Sequence, residues 1–138
     1  MLFTMNNDDM LKEYYNLNKS KSDVLSPKEG LILGNMFLNE YDEYKNYKPS
    51  ELIARTEQEK ELLKIRELSF AVNDLNLKLD VEPNNFEYYK LFKLYADKLN
   101  EYLKKYSEKY DVLELNYDVN GKYTWLSNPW PWEGNKNV

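Results

Sequence analysis

Between residues 57 and 109 the chain carries two apolar stripes separated by a Val-Glu-Pro break, and this arrangement leaves few folds open. Ile65, Leu68, Val72, Leu75 and Leu79 recur at alternating gaps of three and four, so a helix gathers them on one face. Thr56 followed by Glu59 has the form of a capping box, and Ser50 offers an earlier start. The helix is therefore expected from Glu51 or Glu57 to Asp80. Pro83 has no amide hydrogen and restricts the residue before it, which ends the helix. Asn84 with Glu87 is expected to cap a second helix reaching about Lys109. Its stripe is Tyr88, Phe92, Tyr95, Leu99, Tyr102 and Tyr106. Two helices of similar length with so short a break bury their stripes against each other as an antiparallel hairpin.

That hairpin leaves one row uncovered. At about 100° per residue, Leu63, Phe70 and Leu77 fall on the side of the first helix opposite its main stripe. A cover is expected from the N-terminal segment, the C-terminal tail or another chain. Burying the row is worth on the order of 1.5–3 kcal/mol per side chain.

The flanks divide by their punctuation. Residues 1–25 are polar and Asn/Lys-rich and read as a flexible arm. Over 26–49, Ser26, Pro27 and Glu29 are a helix-start signature, and Gly34 with Asn35 closes that short helix. Tyr41, Tyr44 and Tyr47 follow, spaced by three and ending at Pro49. After the hairpin, Asn120-Gly121 between alternating segments predicts a small β-hairpin, and SNPWPWE must be extended. Residues 50–133 thus hold the helical hairpin and an aromatic tail, and 134–138 a disordered end. The expected fold is mainly α, an antiparallel two-helix hairpin with a short N-terminal helix and an extended or small β-hairpin aromatic tail.

Composition excludes more than it selects. Nineteen Lys and Arg stand against twenty-four Asp and Glu, a net charge of −5, which argues against phosphate-backbone binding and an electrostatic membrane anchor. No apolar run approaches a bilayer-spanning length, and the opening residues lack the basic and apolar regions of a secretory signal. There is no cysteine and no histidine. Disulfides, thiol chemistry and the commonest general base and metal ligand are therefore missing. Glu57, Glu59, Glu61, Glu67 and Asp74 could be taken for catalytic carboxylates. Interleaved with Lys60, Lys64 and Arg66, they read instead as a solvated face. Asp74 and Asn76 are expected to cap or hydrogen-bond the tail. The reading calls for no catalytic residue, cofactor or metal.

Trp125, Trp130 and Trp132 sit near the end of the sequence, the last two each behind a proline. Three readings stand side by side: a strap over the hairpin, a dock for a partner protein, or a platform for sugar rings. Proline stiffens the backbone and lowers the entropy lost on docking in all three.

The stretch ELLKIRELSFAVNDLNLKLDVEPNN, the Tyr-rich second helix, KYDVL and the closing PWPWE together resemble the CotJB family of spore coat proteins. The matching positions are Ile65, Glu67, Leu68, Phe70, Ala71, Asp74, Leu75, Asn76, Leu77, Leu79 and Asp80, with Pro129 to Glu133 at the end. Upstream, Ser26, Glu29, Gly30, Gly34, Phe37, Tyr41 and Tyr44 resemble the short CotJA-type coat proteins, with Glu40 and Glu43 departing from that pattern. The resemblance implies a non-enzymatic component of the spore coat, made in the mother-cell cytoplasm and assembled into the coat. It also implies docking to other coat proteins such as a manganese-catalase-like partner, with no nucleic acid and no membrane insertion. The docking candidates are Trp125, Trp130, Trp132, Gly34, Phe37, Tyr41, Tyr44, Leu63, Phe70 and Leu77. The rival reading is a small glycan-binding or general adaptor module outside the coat.

Overall fold

The structure is a computed structural model that describes residues 23–40, 42, 45–46, 48–110, 112–114, 123 and 133. Three helices form where the caps direct them. Helix α1 spans Pro27–Leu33. The Ser26 hydroxyl accepts from the Glu29 amide while the Glu29 carboxylate takes the Ser26 amide, and Pro27 occupies the first turn. Gly34 closes it at φ 76°, a left-handed conformation that glycine adopts without steric cost. A short 3-10 turn follows at Leu38–Glu40. Helix α2 runs Glu57–Val81, opened by the Thr56–Glu59 capping box, so the later of the two expected starts is the one used.

Helix α3 runs Phe86–Lys109, and its cap is Asn85, one residue later than expected. The Asn85 side chain accepts from the Tyr88 amide at 3.2 Å and also donates to Glu82. With Asn85 at the cap, the third helical residue is Tyr88, which has no carboxylate to complete a box. Glu87 pairs with Lys90 instead.

Helices α2 and α3 run antiparallel. The turn at 82–85 joins them at one end, and at the other Lys109 pairs with Glu61 at 2.6 Å while Gln58 donates to the Tyr106 hydroxyl at 3.0 Å. Leu62, Ile65, Leu103 and Tyr106 fill the end distant from the turn. Leu68, Ala71, Leu75, Leu91 and Tyr95 fill the end near it. The α2 stripe is as expected at Ile65, Leu68 and Leu75, with Val72 and Leu79 half-buried. On α3 Tyr95 and Tyr106 of the expected stripe are buried and Tyr88, Phe92, Leu99 and Tyr102 are half-buried against the core, while Leu91, Lys98 and Leu103 widen the buried face on either side. Lys98 lies within that face at 6% exposure, and a lysine hides such a stripe from a reading based on apolar spacing.

The third layer is the N-terminal segment, and α1 packs on α2. Residues 23–25 and 36–38 pair around α1: Leu25 N–H donates to the Met36 carbonyl at 2.7 Å, and Leu38 N–H to the Asp23 carbonyl at 2.9 Å. The pairing is one isolated antiparallel bridge, Val24 with Phe37. Among the described residues there is no longer strand. The arm expected over 1–25 ends earlier, because residues 23–25 are paired with 36–38. Residues 1–22, the β-hairpin expected around Asn120-Gly121 and, apart from Tyr123 and Glu133, the aromatic tail lie outside the described residues. Among the described residues no helix is long and apolar enough to cross a membrane.

Candidate docking surface

Two features could carry recognition: the clip that holds the N-terminal segment on the hairpin, and the apolar side chains left outside it. Met36 and Phe37 anchor the clip, with 0% and 5% of their surface exposed, in one cluster with Leu68, Ala71, Leu75, Leu91 and Tyr95. The Phe37 ring meets Tyr88 edge-on, with centroids 5.4 Å apart. Burial raises the Tyr88 phenol above its ordinary range, and the charge of Glu82 adds to this.

Polar contacts fix the register. The Met36 amide donates to Asp74 Oδ2 at 2.8 Å, a charge-assisted bond that satisfies a donor with no access to water. Asp74 thus serves the N-terminal segment. Lys78 Nζ joins Glu40 of the segment to Glu82 of the turn, the latter at 3.1 Å, and lies 5.3 Å from the centre of the Phe37 ring. Hydrogen bonds to Glu40 and then Glu82 raise its ammonium above the ordinary lysine range. Lys78, followed by the Asn85 amide, holds the Glu82 carboxyl below the usual glutamate range. Inside the segment Gly30 packs closely on Met36, because a Cβ there would lie 2.3 Å from Met36 Sδ and the thioether would have to shift.

Outside the clip, apolar side chains collect where α2 turns into α3. Leu77 and Val81 lie one turn apart on α2, 55% and 77% exposed, and Phe86 and Tyr89 occupy the first turn of α3, also exposed. Leu38, next to Phe37, is exposed as well. Lys90 lies over the Phe86 ring at 4.6 Å, leaving a cation beside the cluster.

The sequence-predicted docking residues divide among these surroundings. Phe37 faces inward. Phe70 is half-buried and packs against the core cluster that includes Met36 and Phe37. Leu63 is half-buried and Leu77 is open. Gly34 is exposed. Tyr41, Tyr44, Trp125, Trp130 and Trp132 lie outside the described residues. Sequence reasoning missed Met36 as the main anchor, and Val81, Phe86 and Tyr89 as exposed apolar residues. The i, i+4 pair Leu77/Val81 was visible as a signal, whereas Met36 differs from its neighbours in nothing a pattern would register.

Among the described residues no three carboxylates gather to hold a metal ion. The model of the family described as CotJB protein matches residues 59–133, just over half of the chain. No curated protein and no solved structure matches it.

Proposed function

The chain belongs to the CotJB protein family, and from that membership we propose that it is a non-enzymatic assembly component of the spore coat that docks other coat proteins. Family membership ties the chain to the spore coat. The proposed docking face is the apolar end of the hairpin at Leu77, Val81, Phe86 and Tyr89, acting with the aromatic tail residues Trp125, Trp130 and Trp132 and with Tyr41 and Tyr44. The observation that carries this reading is that four of the exposed large apolar side chains among the described residues, Leu77, Val81, Phe86 and Tyr89, flank the turn between α2 and α3. A manganese-catalase-like coat protein is the proposed partner, and the mature spore coat the proposed destination.

The test is capture of a tagged chain from sporulating cells of its source, with identification of what accompanies it. Wild type is compared with Leu77→Asp/Val81→Asp, two exposed substitutions expected to alter stability by no more than about 0.5 kcal/mol each. The proposal expects coat proteins with wild type, the catalase-like one among them, and their loss with the folded double variant. Wild type without coat proteins refutes the role. Retention by the variant refutes the face.

A further inference from the structure

The segment 23–40 meets the hairpin as a ligand meets a receptor. It lies outside the residues matched by the family model, which begin at 59. It holds its own shape by the Ser26–Glu29 capping box, the left-handed turn at Gly34, the backbone pairing of 23–25 with 36–38, and the packing of Gly30 on Met36. A segment ordered in this way loses little entropy on docking. Its attachment combines the packing of α1 on α2 and of Val24 on the core with two anchor side chains, one backbone amide on Asp74, and the Glu40–Lys78 pair. Between this segment and α2, Asp42, Lys45, Asn46, Lys48, Ser50, Glu51 and Ile53 are exposed. The hairpin meanwhile has a core of its own, Leu62, Ile65, Leu103 and Tyr106, to which the segment contributes nothing.

We propose that the face of the hairpin formed by Phe70, Ala71, Asp74, Leu75, Lys78 and Tyr88 is a peptide-docking site, filled here in cis by residues 23–40 and able to take a segment of the same chemistry from a separate chain. The ligand is a Ser/Pro-capped helical turn with glycine at the Gly30 position, a left-handed glycine four residues later, and adjacent Met and Phe anchors followed by an acid for Lys78. In cis the connecting chain keeps the segment at a high effective concentration, so a weak site stays occupied. This inference stands on the contacts alone and does not depend on the coat reading.

The experiment uses the full chain with a site-specific protease sequence inserted between the exposed Ser50 and Glu51, cleaved after folding. The expected result is that the nicked protein keeps its helical circular dichroism and its N-terminal fragment co-elutes at micromolar concentration. A labelled synthetic peptide of residues 23–40 then exchanges into the complex. Nicked Asp74→Ala should hold the peptide about tenfold or more weakly, and Asp74→Asn, which keeps an acceptor oxygen, should lose less. Release of the fragment from nicked wild type at that concentration overturns the proposal. So does loss of helicity on nicking, which makes the segment obligate core, or a fragment that excess peptide never displaces. Because purified protein suffices, each of these outcomes is separate from whether the chain reaches a coat.

Discussion

Replacing Gly30 by alanine should destabilise the protein, although alanine is the better helix former, and the sign should reverse once Met36 is cut back. Gly30 lies within α1, where Gly→Ala ordinarily stabilises by roughly 0.5–1 kcal/mol. Here the new Cβ would lie 2.3 Å from Met36 Sδ and 3.3 Å from its Cγ. Optimal contact between such atoms is about 3.5–4.0 Å. Met36 is fully buried against Leu68, Ala71 and Leu75, so its thioether has no open direction in which to retreat. Overpacking of this kind costs about 1–3 kcal/mol, which set against the propensity gain leaves a net loss of up to about 2.5 kcal/mol. Met36→Ala alone should cost about 2–5 kcal/mol. In that background the sulfur is gone, and Gly30→Ala should stabilise by up to about 1 kcal/mol. Urea unfolding followed by far-ultraviolet circular dichroism on the four proteins of the cycle measures this, with m-values compared to show that one transition is being read. If Gly30→Ala shifts stability in the same direction and by the same amount in both backgrounds, within about 0.5 kcal/mol, then Met36 does not pack on Gly30 and the clip is not built as described.

Three further outcomes are expected. Asp74→Ala should cost about 1–3 kcal/mol by leaving the buried Met36 amide without an acceptor, and native-state hydrogen exchange should show that amide losing protection before those of Leu75 or Leu91. Unchanged protection at Met36 would remove Asp74 from the clip. Ser107 is 1% exposed and its hydroxyl has no hydrogen-bond partner among the described residues, so Ser107→Ala should raise stability by roughly 1 kcal/mol in denaturant melts, from relief of a buried polar group and better helix propensity. The Glu82 carboxyl is held below its ordinary range by Lys78, so its contribution is present at neutral pH and lost as pH falls through that depressed value. The raised Lys78 group loses its contribution only above the lysine range, so acid melts should show a decline that Glu82→Gln diminishes, with no change in slope near neutrality.

How much of this was legible depended on whether a residue acts through its type or through its surroundings. The caps at Ser26 and Thr56 are local chemistry, a hydroxyl followed at the third helical position by a carboxylate, and they form where the spacing predicts. The α2 stripe is equally local, because Ile65, Leu68 and Leu75 need only a partner surface of some kind. The cap of α3 was displaced because Asn84 and Asn85 compete with identical side chains. Only the surroundings decide between them, including the bond from Asn85 to Glu82. On α3 the stripe is legible at Tyr95 and Tyr106, whereas Lys98 is not, because a buried lysine is intelligible only once the chains around it are known.

The N-terminal segment shows the same limit in a sharper form. Its internal fold was readable, down to the closing glycine, yet the side chain that fastens it, Met36, was not. Methionine makes no directional demand and fills whatever shape is offered, so nothing in its neighbours marks it as an anchor. Asp74 is the complementary case. Its polarity amid an apolar helix pointed to a hydrogen bond with the C-terminal tail, but the donor is a backbone amide 38 residues upstream, which carries no sequence signature at all. A site built from a flexible apolar anchor and a main-chain hydrogen bond is almost silent in sequence. That silence has a consequence for docking, since such a site constrains its ligand mainly by shape, at the glycine behind Met36 and the ring beside Tyr88. Discrimination between competing segments should therefore reside in Gly30 and Phe37 more than in the charges at Glu40 and Lys78, which are partly exposed and weakened by salt.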